Sequence, residues 1–155
     1  MLQYYRKDVC FQEVPNEISL SFSIAGCPHN CKNCSWKGTI DKEEKKNLTN
    51  QTYSMFLNKY YGLASCVLFF GGEWDQEDLI HKLKMAKEKG YKTCLYTGCT
   101  LNQISEELKN VLDFIKVGPY IEEKGGLNNP NTNQQFIDLI NNQILNNYFV
   151  KQEVF

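Results

Sequence analysis

At 155 residues the chain can bury one continuous apolar core, but it falls well short of the roughly 250 residues of a complete eight-unit β/α barrel. Its 17 Lys and Arg balance 18 Asp and Glu, and no dense basic block appears, which excludes charge-driven binding to nucleic acid or to an anionic membrane. The longest apolar run, "CVLFF" at 66 to 70, is too short to span a bilayer, and the polar start "MLQYYRKD" lacks a signal peptide's apolar region; the expectation is a soluble, cytoplasmic chain forming a single domain over 1–155.

In chain order, "EISLSFSI" at 17 to 24 alternates Ile18, Leu20, Phe22 and Ile24 with Ser19, Ser21 and Ser23. That period of two predicts a strand with one buried face. The loop "AGCPHNCKNCSW" at 25 to 36 starts where this strand stops, and the mixed-sign run "DKEEKK" at 41 to 46 reads as a solvated loop. Thr49 or Asn50 can then cap a helix running to about Tyr60. "SCVLFF" predicts a fully buried strand, broken by Gly71 and Gly72. Asp75 can cap the next helix, whose Leu79, Leu83 and Ala86 follow i, i+4, i+7 spacing until Gly90 ends it.

"YKTCLY" predicts another strand, and Thr100 with Gln103 has the capping-box pattern for a helix carrying Ile104, Leu108 and Val111. The short strand "FIKV" follows. A second such pattern, Thr132 with Gln135, predicts a helix through Phe136, Ile140 and Ile144. This alternation predicts an α/β fold with a mainly parallel sheet and right-handed crossovers. In such sheets ligands gather at the carboxyl ends of the strands, and "GCPHNCKNC", "GGEW", "YTGC" and "KVGPY" all fall there.

Seven cysteines cannot all pair internally, and the clustered ones read as metal or redox ligands. Cys10, Cys66, Cys94 and Cys99 are dispersed; Cys66 and Cys94 lie in apolar runs and read as buried, inert thiols. Cys27, Cys31 and Cys34 instead form a C-x3-C-x2-C loop. A structural zinc site closes with four ligands, whereas this loop offers three thiolates, with His29 inside it and His81 in a distant helix. A 4Fe-4S cluster on three thiolates leaves one iron open for a substrate or cofactor; a zinc or electron-transfer site is the alternative.

C-x3-C-x2-C on a loop after the first strand of such a fold resembles the signature of radical S-adenosylmethionine enzymes. "GGE" at the end of the next buried strand resembles the motif that hydrogen-bonds the cofactor's methionine amino group there. The resemblance implies a partial, open β/α barrel with a 4Fe-4S cluster on Cys27, Cys31 and Cys34 and S-adenosylmethionine on its open iron. It also implies that Gly71, Gly72 and Glu73 hold the cofactor. Glycines let the backbone approach a ligand closely, and a carboxylate pairs with an ammonium. Many relatives carry an aromatic residue beside the third cysteine, near adenine. Here Asn33 and Ser35 flank Cys34, so Trp36 is either the adenine contact or a loop aromatic. Lys116, ending the fourth strand, either pairs with the cofactor carboxylate or is solvated.

The segments "YYRKDV", "FSIAGCPHNCKNC", "FFGGEWD", "LYTG", "IKVGPYIEEKGGL" and "TNQQF" resemble, in that order, the activating proteins of anaerobic ribonucleotide reductase. Gln135 stands where those relatives often have arginine. The resemblance implies an oxidoreductase that takes a hydrogen from a glycine near the C-terminus of the reductase's large catalytic subunit, leaving a glycyl radical. The electron donor would be a flavodoxin or ferredoxin. The alternatives are an activase of another glycyl radical enzyme, another small radical enzyme of this kind, and a non-catalytic iron-sulfur or zinc module that carries electrons or binds a partner.

Overall fold

The serine-alternating segment forms a strand in the centre of the sheet, and its neighbours determine where the loops emerge. The computed structural model describes residues 1–27 and 44–150. Their strands are β1 (Gln3–Cys10), β2 (Ser19–Ile24), β3 (Lys46–Asn47), β4 (Cys66–Phe70), β5 (Lys92–Tyr96), β6 (Phe114–Val117), β7 (Gln135–Asp138) and β8 (Gln143–Ile144). They form one eight-stranded sheet in the order β3-β1-β2-β4-β5-β6-β7-β8. β2, β4, β5 and β6 run parallel. The pairs β1 with β2, β1 with β3, β6 with β7 and β7 with β8 are antiparallel. The sheet is therefore parallel only in its centre, with antiparallel pairs on both flanks.

Three helices of the described residues pack on one face: α1 (Asn50–Lys59), α2 (Gln76–Glu88) and the short α3 (Glu106–Lys109). Thr49 Oγ1 caps α1 by accepting the Thr52 amide at 3.1 Å. Asp75 occupies the cap position of α2, although its side chain accepts no bond from the helix. Against Leu20, Phe22, Val67, Phe69, Leu95 and Ile115 of the sheet, the helices bury Tyr53, Leu57, Leu79, Leu83 and Ala86. Phe22 and Phe69 stack at 5.4 Å between ring centroids. The buried phenols are satisfied by helix carbonyls, Tyr53 donating to Lys82 O at 2.8 Å and Tyr91 to Leu57 O at 2.6 Å.

Lys82 ties this layer together. Its side chain is 1% exposed, and its ammonium donates to Asp78 Oδ1 at 2.7 Å and to Asn50 Oδ1 at 3.2 Å, while Asp78 Oδ2 accepts the Leu2 amide at 2.7 Å. Burial works to raise the Asp78 carboxyl, but the Lys82 ammonium and the Leu2 amide outweigh it and hold the group below its usual 3.8. A depressed carboxylate stabilises the fold above its unfolded value, and that contribution is lost as pH falls through the folded one. Asp78→Asn should therefore cost about 2 kcal/mol in urea unfolding at pH 7, with the gap to wild type closing as the pH falls below about 4. An unchanged gap at acid pH would assign the loss to packing instead.

On the opposite face the serines are as buried as the apolar residues: Ser19, Ser21 and Ser23 are at most 2% exposed. Strand β2 thus has two buried faces rather than the one its alternation predicts. The second face carries Cys66, Leu68, Cys94, Phe114 and Phe136, packed among the described residues against Val14 and Leu127 from loops. Small serines suit a surface approached closely by irregular backbone. Burial pushes the Cys66 thiol up to about 12 and the Cys94 thiol well above 9.0. With the chain stripped of metal, a disulfide reagent at pH 8 should label Cys27 rapidly and leave Cys66 and Cys94 unmodified until urea is added. Prompt labelling of Cys94 in the folded chain would contradict this packing.

Two predicted helices take other forms. The capping pattern at 100 to 103 is real, with the Thr100 amide donating to Gln103 Oε1 at 2.9 Å, but it opens only a 3-10 turn over Leu101–Gln103. Ile104 is extended (φ −92°, ψ 128°), and Ser105 starts α3 afresh by accepting the Leu108 amide at 3.1 Å. The segment from Thr132 to Ile144 is not a helix but the hairpin of β7 and β8. Phe136 and Ile137 are both buried, as adjacent residues of a strand covered on two faces can be, whereas Ile140 and Ile144 are exposed. Thr132 Oγ1 donates to Gly125 O rather than capping, and Asp138 Oδ1 makes the hairpin turn by accepting the Ile140 and Asn141 amides at 3.0 Å each.

Candidate metal and cofactor site

The carboxyl ends of β2, β4, β5 and β6 form one rim, because the four strands are parallel neighbours in register. Each exit turns through a residue suited to it. After β2 comes Gly26 with φ +91°, which presents Cys27, an exposed thiol, at the edge. After β4 come Gly71 (φ +87°) and Gly72 (φ +110°), conformations that side chains on Cα disfavour. Gly71 N extends the ladder by donating to Tyr96 O at 2.9 Å, and Gly72 leads into the 3-10 turn Glu73–Asp75.

Thr97, directly after β5, organises this rim and is itself only 2% exposed. Its Oγ1 donates to Glu73 Oε1 at 2.8 Å and accepts the Cys99 amide at 3.0 Å. The Cys99 thiol lies 3.7 Å from the same Glu73 oxygen, and burial raises it above 9.0. From β6, Lys116 Nζ donates to the Thr97 carbonyl at 3.2 Å and the Gly118 carbonyl at 3.4 Å, with its charge 5.8 Å from the centroid of the Tyr96 ring. One threonine therefore holds a carboxylate through its hydroxyl and an ammonium through its carbonyl. Such a pair is complementary to a ligand carrying both an ammonium and a carboxylate.

Of the sequence-predicted site residues, Cys27, Gly71, Gly72, Glu73 and Lys116 sit on this rim. Cys31, Cys34, Trp36 and His29 lie outside the described residues, and His81 is on the exposed side of α2. Among the described residues no three His, Cys, Asp or Glu side chains converge on a metal-sized site.

A family model described as "4Fe-4S single cluster domain" matches residues 18–145, most of the chain. The chain belongs to that family. This 4Fe-4S single cluster domain has no match among curated proteins or among solved structures. The donor set fits the cluster: soft thiolates are what iron-sulfur clusters take, and the sequence offers three of them within eight positions, beginning at an exposed Cys27. No helix among the described residues is long and apolar enough to cross a membrane.

Sequence reasoning placed Thr97, Cys99 and Trp74 on the rim, within "YTGC" and "GGEW", but assigned none of them a role there. Thr97 and Cys99 reach Glu73 only through the β4 to β5 register, in which Phe70 stands opposite Tyr96. Trp74 lies against both Gly26 and Gly71, and "GGEW" carries no local sign of that.

Proposed function

We propose that this 4Fe-4S single cluster domain is a radical S-adenosylmethionine enzyme that installs a glycyl radical on the large catalytic subunit of anaerobic ribonucleotide reductase. The observation that carries the reading is the pairing of Glu73 and Lys116 on Thr97, on the same rim as Cys27. Cys27, Cys31 and Cys34 would hold the cluster, and Glu73 would accept from the cofactor's ammonium. Gly71 and Gly72 would let the backbone approach, and Lys116 would face the cofactor carboxylate. Trp36 is the candidate for the adenine. The four parallel strands would be the opened wall of a partial β/α barrel, with the rim as its mouth.

Held by Cys27, Cys31 and Cys34 and reduced by a flavodoxin or ferredoxin, the cluster would supply the one electron needed to cleave S-adenosylmethionine to methionine and a 5'-deoxyadenosyl radical. Abstraction of a glycine Cα hydrogen then yields 5'-deoxyadenosine and a glycyl radical stabilised by the flanking amide nitrogen and carbonyl. The chain's own share is to fix the amino acid end of the cofactor and to leave the mouth open to an extended protein segment. The resemblance of "KVGPYIEEKGGL" and "TNQQF" to reductase activators favours that partner over other glycyl radical enzymes.

The test is anaerobic: reduced protein, S-adenosylmethionine and the reductase subunit with deuterium on its candidate glycine, followed by electron paramagnetic resonance and mass analysis. A glycyl radical on the partner and deuterium in 5'-deoxyadenosine are the expected results, both abolished when the glycine is alanine. Absence of methionine and 5'-deoxyadenosine under reduction would leave an electron carrier, and coupled turnover on a small metabolite without any partner would overturn the protein substrate.

A further inference from the structure

We infer that Trp74 is a positioning residue that sets the spacing between Cys27 and Glu73; the inference rests on the radical reading above and identifies what holds the two halves of its site in register. The far edge of the indole lies against the backbone of Gly71 so closely that a methyl group there would sit 2.5 Å from Cη2 and 3.1 Å from Cζ3. The near edge reaches Gly26, where a methyl group would lie 3.5 Å from Nε1. Gly26 immediately precedes Cys27, and Gly71 lies two residues before Glu73. One ring therefore spans the exits of two neighbouring parallel strands, at the points where both chains adopt positive φ.

The ring is itself anchored. Trp74 is the middle residue of the 3-10 turn closed by the Asp75 amide on Gly72 O at 3.0 Å, and it packs half-buried against the main core. A glycine at positive φ has no side chain with which to resist displacement, so two adjacent glycine exits need an external brace. Displacing the indole moves Gly71 and Gly26 together, and with them the first thiolate and the carboxylate. A tryptophan buried only for stability would cost unfolding free energy when truncated but would leave the relation between these loops unchanged in the folded protein.

The experiment compares anaerobically reconstituted wild type with Trp74→Ala, Trp74→Phe, Gly71→Ala, and Gly71→Ala combined with Trp74→Leu. It reads iron content, the electron paramagnetic resonance spectrum of the reduced cluster without added ligand, and S-adenosylmethionine affinity by equilibrium dialysis. Trp74→Ala should keep wild-type iron, show an altered cluster spectrum and bind the cofactor about tenfold more weakly, with Trp74→Phe between the two. The combined variant should bind better than Gly71→Ala alone, because removing the indole makes room for the added methyl group. A Trp74→Ala protein with wild-type spectrum and affinity, or a combined variant worse than Gly71→Ala, would overturn the inference. Should wild type itself fail to bind S-adenosylmethionine, the radical reading falls. The cluster spectra then decide alone, a changed Trp74→Ala spectrum supporting the brace and an unchanged one refuting it. If Trp74→Ala fails to fold, the Trp74→Phe variant and the compensating pair decide in the same way.

Discussion

Alanine at Cys27, Cys31 or Cys34 should each abolish the oxygen-labile 4Fe-4S cluster and, with it, the radical chemistry proposed above. A cluster corner held by two thiolates and water exchanges iron readily, so the expected fall is to background rather than to a fraction. Anaerobic reconstitution with iron and sulfide, followed by iron analysis and the visible charge-transfer absorption, measures it. Cys10→Ala and Cys99→Ala should keep a full complement of iron, since neither belongs to the C-x3-C-x2-C run, and Cys66→Ala should do so wherever the core tolerates it. Full loading in any one of the three loop variants would remove that cysteine from the ligand set. Cys99 is the informative control, because its thiol lies on the same rim, 3.7 Å from Glu73 Oε1.

The second large effect is expected at Glu73. Its Oε1 is fixed by the Thr97 hydroxyl at 2.8 Å, so the carboxylate offers a preset acceptor to an ammonium. Glu73→Gln removes the charge and keeps the shape, and loss of a charge-assisted hydrogen bond costs about 1.5 to 3 kcal/mol, so the proposed function implies roughly a ten- to hundredfold drop in S-adenosylmethionine affinity. Iron content should stay at the wild-type level, which separates this defect from loss of the cluster. Thr97→Val should show the same sign with a smaller size, since it removes one hydrogen bond to the carboxylate without neutralising it. Wild-type affinity in Glu73→Gln would transfer the ammonium contact to backbone carbonyls of the rim.

The parallel centre of the fold was legible because its strands advertise themselves. β2 alternates strictly, β4 is an unbroken apolar run, and both end at glycines that only a sharp exit requires. The Thr49 cap was legible for the same reason, being a local bond between residues three apart. The hairpin of β7 and β8 was not. Its Thr132 and Gln135 have helix-start spacing, but burial of the consecutive Phe136 and Ile137 and the turn-forming Asp138, Asn141 and Asn142 outweigh it, and only pairing with β6 settles the competition. On the rim, Glu73 was found through its glycines, whereas Thr97 lies 24 residues away and becomes its partner only through strand register. Nothing short of tertiary structure shows that a tryptophan one position after Glu73 turns back over Gly71.

Both flanks of the described sheet end in stubs: β3 and β8 contribute two residues each. On one side the stub leaves a long ladder behind it: β3 pairs with β1 only at Gln3 and Tyr4, so among the described residues the outer edge of β1 from Tyr5 to Cys10 has no neighbouring strand. That edge, rather than β3 itself, is where a visiting extended segment or a second copy would find main-chain groups to pair with. Shortening β1 and grafting the rim loops onto a related scaffold should therefore have separable effects on association, the first through main-chain pairing and the second through side chains at the mouth.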